Sequence, residues 1–356
     1  MNIIYGICSW GLGHATRSLP VIRQLLKEDN KLTVISHGRT LELLKKELKD
    51  QVDYYAIQDY PLVISENTRQ MLAKSMLYWP VFIHRIESGL RSLQKILEEK
   101  KYDCILSDAR YDMYSKKIPS YFISHQMRIM NPLRMKILEN GSELFNQFFF
   151  QDRFKKVIVP DYETDDLSGD LSHNLKKINE KQLHYVGVLS DFQKKQTKKD
   201  IDYFISISGP EPQRTLFEKK IMSQLDTLQG TIVVSLGKTE NIHHQQNDTT
   251  TIYSYLKKEE REEVFNRTKL VISRSGYSTI MDLAVLGIHG LMIPTPGQIE
   301  QEYLGHYHTT KKTFYSVGQN NLDLARDSKY AQKTTGITRT CDVSKTVEAI
   351  IRLITY

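Results

Sequence analysis

Short apolar runs alternate with amphipathic stretches along almost the whole chain. Asn2 to Cys8, Leu32 to Ser36, Val52 to Ile57, Asp103 to Ser107, Pro119 to Ser124 and Val157 to Val159 are runs of strand length. Between them, Leu19, Ile22, Leu25 and Leu26 recur at helical spacing, and Thr40 to Leu48 reads as a helix. Leu72 to Lys100 is a long helical region with a break expected at Pro80. Short runs without alternation, separated by helices, predict parallel strands buried on both faces. The pattern pauses at Gln193 to Asp200 (QKKQTKKD), which is charged and free of apolar residues. It resumes with strands at Tyr203 to Ile207, Thr231 to Leu236, Ile252 to Leu256, Leu270 to Ile272, Leu291 to Ile293 and Phe314 to Val317. A final helix, Val343 to Ile354, carries Val347, Ile350, Ile351 and Ile354 on one face. A chain of 356 residues is long for a single core. The reading is α/β with two Rossmann-like domains, 1–187 and 201–340. Residues 188–200 form a linker, and the helix in 341–356 is expected to cross back to the first domain.

In such folds ligands sit at the carboxyl ends of the strands, and polar residues gather there. Ser9-Trp10-Gly11-Leu12-Gly13-His14 follows the first strand, Asp108 ends another, and His125-Gln126 closes the next. In the second half, Ser208-Gly209-Pro210-Glu211-Pro212-Gln213-Arg214, Arg274-Ser275-Gly276 and Thr295 to Glu302 occupy the equivalent places. The Gly276 amide and the helix start after it suit an anion. The Gly11-Leu12-Gly13 turn lacks the third glycine of a dinucleotide fingerprint, and no ribose-binding acid follows the next strand. An imidazole, with a pKa of ~6.5, suits general-base work near neutrality, so His14 is a candidate base; the plainer alternative is a histidine that hydrogen-bonds its turn. Asp108 would orient that imidazole, or cap the turn before Tyr111.

Composition narrows the class. Apolar residues make up 40% and charged residues 26%, as in ordinary globular proteins. Three cysteines, Cys8, Cys104 and Cys341, are too few and too scattered for a disulfide framework or a zinc site, which fits a reducing cytoplasm. The start of the chain lacks the basic and apolar regions of a signal peptide, and no apolar run nears the ~18 residues of a spanning helix. In the polar stretch Asn241 to Asp248, read as a loop, His243 and His244 are adjacent, with no Cys or acid at ligand spacing, so no metal is expected there. The net charge is +7, and residues 110–156 alone hold nine Lys/Arg against four Asp/Glu. This bias suits an anionic partner, such as a phospholipid surface or a diphosphate-linked acceptor, or it is a solvated basic face. Met127 to Phe150 mixes Met, Leu, Ile and Phe with Arg128, Arg134 and Lys136. That combination reads either as an interfacial helix or as a core helix with a solvated edge.

The motifs GLGHATRS (from Gly11), RSGYSTIMD and PTPGQIEQE resemble those of family 28 glycosyltransferases. The family includes the bacterial enzyme that adds N-acetylglucosamine to a lipid-linked muramyl peptide. The resemblance implies the GT-B architecture, two Rossmann-like domains facing a cleft. It implies a UDP-sugar donor, inversion at the anomeric carbon, and a hydroxyl acceptor that is lipid-linked in related enzymes at the inner membrane face. It gives His14 the role of base, with Asp108 behind it, and places Gly11, Gly13 and His125 on the acceptor side. Donor binding would fall to Ser208, Gly209 and Arg214 at the diphosphate, Leu256 at the uracil and Asp282 at the ribose. Arg274, Ser275, Gly276, Gln298, Glu300, Gln301 and Glu302 would complete it. Asp282 stands where the family has Glu, Glu302 where a second Gln is usual, and Pro210 and Pro212 remove two amides from the diphosphate loop. No metal or other cofactor is expected, because cationic side chains and helix amides can neutralise a leaving diphosphate. A UDP-sugar 2-epimerase shares the architecture, and a non-catalytic nucleotide-sugar or nucleic-acid binding protein is the reading from another class.

Overall fold

The computed structural model describes residues 1–61, 68–131, 135–238 and 244–355, with the side chains of 68–73, 75 and 76 left out. The chain divides into two compact units: Met1–Asp191 with Asp342–Tyr356, and Phe192–Cys341. The first unit begins with β1 (Asn2–Ile7), α1 (Leu12–Lys27), β2 (Lys31–Ser36), α2 (Gly38–Leu48) and β3 (Asp53–Ala56). It continues with α3 (Thr68–Glu99), β4 (Cys104–Asp108), β5 (Ser120–Ile123), α4 (Lys136–Gln151), β6 (Lys156–Val159) and β7 (Leu183–Tyr185). Among the described residues these strands form one parallel sheet in the order β3-β2-β1-β4-β5-β6-β7. The order reverses between β1 and β4, the point where a doubly wound sheet opens a ligand crevice. Strands β1 and β4 are buried almost throughout, as their unbroken apolar runs require.

The second unit holds β8 (Ile201–Ser206), α5 (Gln213–Met222), β9 (Ile232–Ser235), β10 (His244–Gln246), β11 (Thr250–Tyr253), α6 (Lys258–Arg267) and β12 (Thr268–Ser273). Then come α7 (Tyr277–Leu286), β13 (His289–Met292), α8 (Ile299–Thr310), β14 (Tyr315–Ser316) and α9 (Leu324–Ala331). The described strands line up as β10-β11-β9-β8-β12-β13-β14, parallel except for the β10–β11 pair. Ile205, Val234, Ile272 and Leu291 from four adjacent strands share one core with Phe217 and Ile221 of α5. The chain closes with α10 (Val343–Thr355), in the first unit. There the carbonyls of Ile354 and Leu353 accept from Tyr121 Oη (3.3 Å) and Lys156 Nζ (3.0 Å).

Four expectations change. Helix α3 runs through Pro80 without ending. Residues 77–80 are exposed, so water can take the carbonyl that the missing proline amide leaves. The helix expected from Met127 starts only at Lys136. Before it, the amides of Met127 and Arg128 bond to the Leu171 carbonyl, outside any helix. Part of Asn241–Asp248 is a strand, β10, paired antiparallel to β11, with the His244 ring stacked on Tyr253 at 5.7 Å. His243 lies outside the described residues, as does Arg134. In the expected linker, Val188, Leu189 and Phe192 are buried. The Gln193 and Lys195 amides bond to Glu262 and Asn266 of α6, so this charged segment is fastened down.

Helix α3 is seated on a buried ion pair, Arg110–Asp112, with Nε to Oδ1 at 2.9 Å. Gly89 is where the helix meets it: a Cβ there would overlap the Asp112 carboxylate. Gly to Ala inside a helix ordinarily gains ~1 kcal/mol. Here the sign should reverse. Gly89→Ala is expected to cost ~1–3 kcal/mol, as overpacking does, read as a lower thermal midpoint of the full chain. A raised midpoint would contradict this seating.

Candidate active site

The first cluster gathers at the carboxyl ends of β1, β4 and β5. Gly11 is the extended N-cap of α1, with open space where a side chain would stand, and His14 lies in the first helical turn beside Gly13. His14 Nδ1 lies 2.8 Å from Asp108 Oδ1 at the end of β4. Asp108 is fully buried and also bonds Arg17, through Nε to Oδ2 at 2.8 Å and Nη2 to Oδ1, and accepts from Ser18 Oγ at 3.1 Å. Burial alone would raise the Asp108 carboxyl; the charges of Arg17 and His14 and their hydrogen bonds overcome it and hold it well below the usual carboxylate range. An ionised carboxylate only accepts, so the His14 proton sits on Nδ1 and the Nε2 lone pair is left for chemistry. Arg17 Nη2 lies 3.0 Å from the same Nδ1, and Nη1 donates to His125 Nδ1 at 3.3 Å. A guanidinium has no lone pair to offer, so His125 accepts at Nδ1 and, when neutral, carries its proton on Nε2. It is a donor in that state, which makes it the weaker choice of base.

Arg17 was not singled out in the sequence. The available signal was position: it stands one turn after His14, on the same face of an amphipathic helix, where an arginine breaks the apolar pattern and is nonetheless buried.

The second cluster lies at the strand ends of the second unit. Arg274 is its centre. The guanidinium is buried and donates to the carbonyls of Ser208 (3.4 Å), Ile293 and Pro294 (both 3.2 Å) and Gln213 (3.0 Å), and to Gln319 Oε1 (2.7 Å). It also lies 4.1 Å from the Phe217 ring centroid. Its partners are neutral oxygens, and burial pulls its pKa down to about 10, which still leaves it charged at neutrality. Arg274 is thus a brace that binds the ends of β8 and β13 to the start of α5. Gly209, at a φ of +120°, lets the loop pass over it.

Around this brace, Ser275 Oγ donates to the Gln301 carbonyl (2.8 Å), and Gln301 Oε1 accepts from the Thr295 amide (2.8 Å). Gly276 is the N-cap of α7, with the Gln301 side-chain nitrogen close by. Gln298 caps α8, and Glu302 Oε1 accepts from the Gly297 amide at 3.0 Å. Glu300 lies in the first turn of α8, half-buried. Ser208 and Gly209 are exposed, Asp282 is half-buried on α7, and Leu256 is buried just beyond β11. Arg214 departs from the expectation of a cation held open for phosphate. It pairs with Glu211 and Glu218, one helical turn apart, and reaches the Leu236 carbonyl at 3.3 Å. Two groups beyond the predicted set stand out: Thr295 Oγ1 and Arg261 Nε are enclosed without a hydrogen-bond partner.

Two of the cations counted over residues 110–156 are internal, each with an acid of the same count, so the net excess is carried by the remaining residues. Arg110 pairs with Asp112, and Arg128 gives its Nε to Glu143 at 2.6 Å, both buried. Among the described residues one His–carboxylate group has metal-like spacing, Asp161, Asp166 and His173. Asp161 there accepts from the amides of Tyr162, Leu167 and Ser168 and from Ser168 Oγ, so it serves as a loop staple. No helix among the described residues is long and apolar enough to cross a membrane.

Comparison with known proteins agrees with this geometry. Residues 210–326 match the model of the glycosyltransferase family 28 C-terminal domain, and residues 1–130 match a model described as glycosyl transferase family 1. A glycosyltransferase of Methanosarcina acetivorans without assigned substrate is 22% identical over 353 residues, covering 95% of this chain and 85% of its own. A second from that organism is 24% identical over 336 residues, covering 85% and 82%. Among solved structures, MurG of Acinetobacter baumannii superposes with a TM-score of 0.60 at 12% identity, covering 99% of both chains. The kitacinnamycin glycotransferase gives 0.63 at 12% identity, covering 99% and 94%. A spinosyn rhamnosyltransferase complexed with thymidine diphosphate gives 0.58 at 11%, covering 100% and 92%. The fold is therefore GT-B. The chain is a glycosyltransferase of that class, related to family 28 through its second unit.

Asp108 supplies a pH test. A carboxyl held below its unfolded value of ~3.9 contributes stability fully above that pH, and the contribution is lost as pH falls toward the folded value. Asp108→Asn leaves Arg17 buried without its anion and should cost ~3–5 kcal/mol at pH 7. The gap from the parent chain should narrow below about pH 4. Thermal unfolding of both proteins from pH 2.5 to 7 reads it; a gap constant with pH would mean Asp108 is not the ionised partner.

Proposed function

We propose that the chain transfers a sugar, with inversion, from a UDP-sugar held by the second unit to a hydroxyl of an apolar acceptor held by the first. The observation that carries this reading is the Asp108–His14 contact, which leaves a lone pair on the Nε2 of a half-buried imidazole. In the proposed step the acceptor O–H proton passes to His14 Nε2 as its oxygen bonds to the anomeric carbon. The bond from that carbon to the diphosphate oxygen breaks, and UDP leaves with the electron pair. Asp108 stabilises the imidazolium that forms and does not take the proton itself.

On the donor side, Asp282 accepts from the ribose hydroxyls, the backbone at Leu256 meets the uracil, and Gln298, Glu300, Gln301 and Glu302 face the sugar. Amides at the start of α7 neutralise the leaving diphosphate, since a helix leaves its first amides without internal partners; at α5 the amides of Arg214, Thr215 and Leu216 are already taken by Pro210, Glu211 and Pro212. No metal is required in this scheme. Arg274 supports it indirectly, by fixing the strand ends that carry Ser208, Gly209 and Gly276.

The apolar acceptor is supported by a chain of rings. Trp10, 40% exposed on the His14 turn, packs edge-on to Tyr60 at 5.3 Å, and its Nε1 donates to the Tyr60 carbonyl at 2.7 Å. Tyr60 meets Phe82 at 4.6 Å, Phe82 stacks with Trp79 at 5.5 Å, and Trp79 meets Phe145 at 5.6 Å. Beyond lie exposed Leu77 of α3 and Ile137 and Phe148 of α4. Exposed apolar groups joined this way mark a surface that meets lipid or another apolar ligand. A lipid-linked acceptor would bring the chain to a membrane face; a cytoplasmic location belongs to the same proposal.

His14→Ala is expected to lower turnover ~10²–10⁴-fold, read as UDP released from a UDP-sugar with a panel of hydroxyl-bearing amphiphiles. Affinity for UDP should stay within about twofold, because the residues proposed to bind it belong to the second unit. Turnover near that of the parent chain would remove His14 as the base.

A further inference from the structure

Arg261 of α6 is a cation at the donor end of the second unit that the proposed chemistry leaves unused. Its side chain packs against two touching rings: the guanidinium carbon lies 5.7 Å from the Phe192 centroid and 5.4 Å from that of Phe265, and the two centroids are 5.2 Å apart. One terminal nitrogen reaches Ser206 Oγ, at the carboxyl end of β8, at 3.5 Å. Its Nε is enclosed and has no hydrogen-bond partner. Burial pulls the guanidinium down from its ordinary value; the charges that act against this are Asp282, then Tyr255. Tyr255 precedes Leu256 on the loop after β11, and Asp282 lies in the second turn of α7. Arg261 lies near the start of α6, which begins just after Leu256, and its guanidinium reaches the carboxyl end of β8, on the side of the sheet where the donor residues are proposed to gather.

An enclosed guanidinium N–H without a partner costs free energy that a ligand oxygen would recover. A nucleoside seated with its base at Leu256 and its ribose at Asp282 has its glycosidic bond between the two. In a pyrimidine the carbonyl next to that bond, at position 2, is a hydrogen-bond acceptor; adenine has no carbonyl at all. Packing against Phe192 and Phe265 limits the rotamers open to the side chain, so little entropy is lost when the contact forms.

We infer that Arg261 is a nucleoside-binding residue of this chain, donating to the 2-oxo group of a pyrimidine nucleoside and so favouring UDP-type donors over adenine-type ones. The inference rests on the donor reading above. It adds a residue that neither the sequence motifs nor the family resemblance supplies.

The test is calorimetry on the full chain with UDP, uridine, thymidine and ADP. Arg261→Met keeps the stem and removes the donors; Arg261→Lys keeps the charge and removes the enclosed N–H. Either change should weaken UDP and uridine by about 10–100-fold, the loss expected for one charge-assisted hydrogen bond. Thymidine should lose as much as deoxyuridine, since both carry the 2-oxo group, and the preference for UDP over ADP should shrink. Ser206→Ala, by contrast, should change UDP affinity less than threefold. If Arg261→Met unfolds the chain, Arg261→Lys decides: unchanged UDP affinity with an unchanged thermal midpoint overturns the inference. Equal losses for UDP and ADP in either variant also overturn it, since they would mean that Arg261 only supports the fold of the site. If the parent chain binds no UDP while retaining its thermal midpoint, the donor reading falls first and this inference with it. If Asp282→Ala weakens UDP and neither Arg261 variant does, the inference alone fails.

Discussion

One buried carboxylate organises the first unit's site. Asp108 ends β4 fully buried, and three side chains of α1 turn toward it: His14, Arg17 and Ser18. A buried anion is costly unless paired and fully hydrogen-bonded. Arg17 supplies the larger part of the pairing charge, and His14 adds its hydrogen bond and, when protonated, a second charge. The same guanidinium reaches His125, so one cation and one anion fix the proton positions of two imidazoles. The short connection from β1 into α1 and the α1 register are what bring these groups to one strand end. The second unit solves a related problem in another way. Arg274 carries its charge into the protein with carbonyl partners only, and those carbonyls terminate the strands that present the donor residues. In the first unit an ion pair positions a side chain, and in the second a lone cation positions backbone.

Much of this was legible in the residues. Runs such as Ile3 to Ile7 and Leu270 to Ile272 are buried on both faces of parallel sheets, and that burial is why they lack alternation. Polar residues that follow a buried strand directly can only lie at its carboxyl end, so His14, Asp108 and the Arg274 turn could be placed before any coordinates. What sequence could not supply was partnership. Arg17 and Arg261 look like ordinary helical arginines until their burial is known. Arg128 and Arg214 look like free cations until Glu143, Glu211 and Glu218 are seen beside them. Over residues 110–156 the pairs Arg110–Asp112 and Arg128–Glu143 remove cations and acids together, so the excess of positive charge read from the sequence stands while its bearers are fewer. Pro80 shows the limit of local rules: a proline on an exposed helix face does not end the helix.

The two arginines of the donor unit divide the work by chemistry. Arg274 has every N–H direction occupied and is built in; Arg261 retains an enclosed donor that no group of the described residues takes up. Thr295 Oγ1, buried between the Arg274 turn and Gly209, is a second group of the latter kind. A scaffold with satisfied polar groups and a few deliberately unsatisfied ones is what a preorganised site requires, because the ligand then meets fixed dipoles.

The most direct test of the proposed chemistry is the protonation state of His14 itself. Nitrogen-15 NMR of the histidine-labelled full chain distinguishes the two imidazole tautomers, with His14→Gln identifying the signal. Proton occupancy at Nδ1 and a bare Nε2 at neutral pH is the expected result, with the Nδ1 signal displaced in a folded Asp108→Asn variant. A His14 ring protonated at Nε2 instead, with Nδ1 bare toward Arg17, would leave no lone pair for the acceptor proton and would contradict the assignment of His14 as the base.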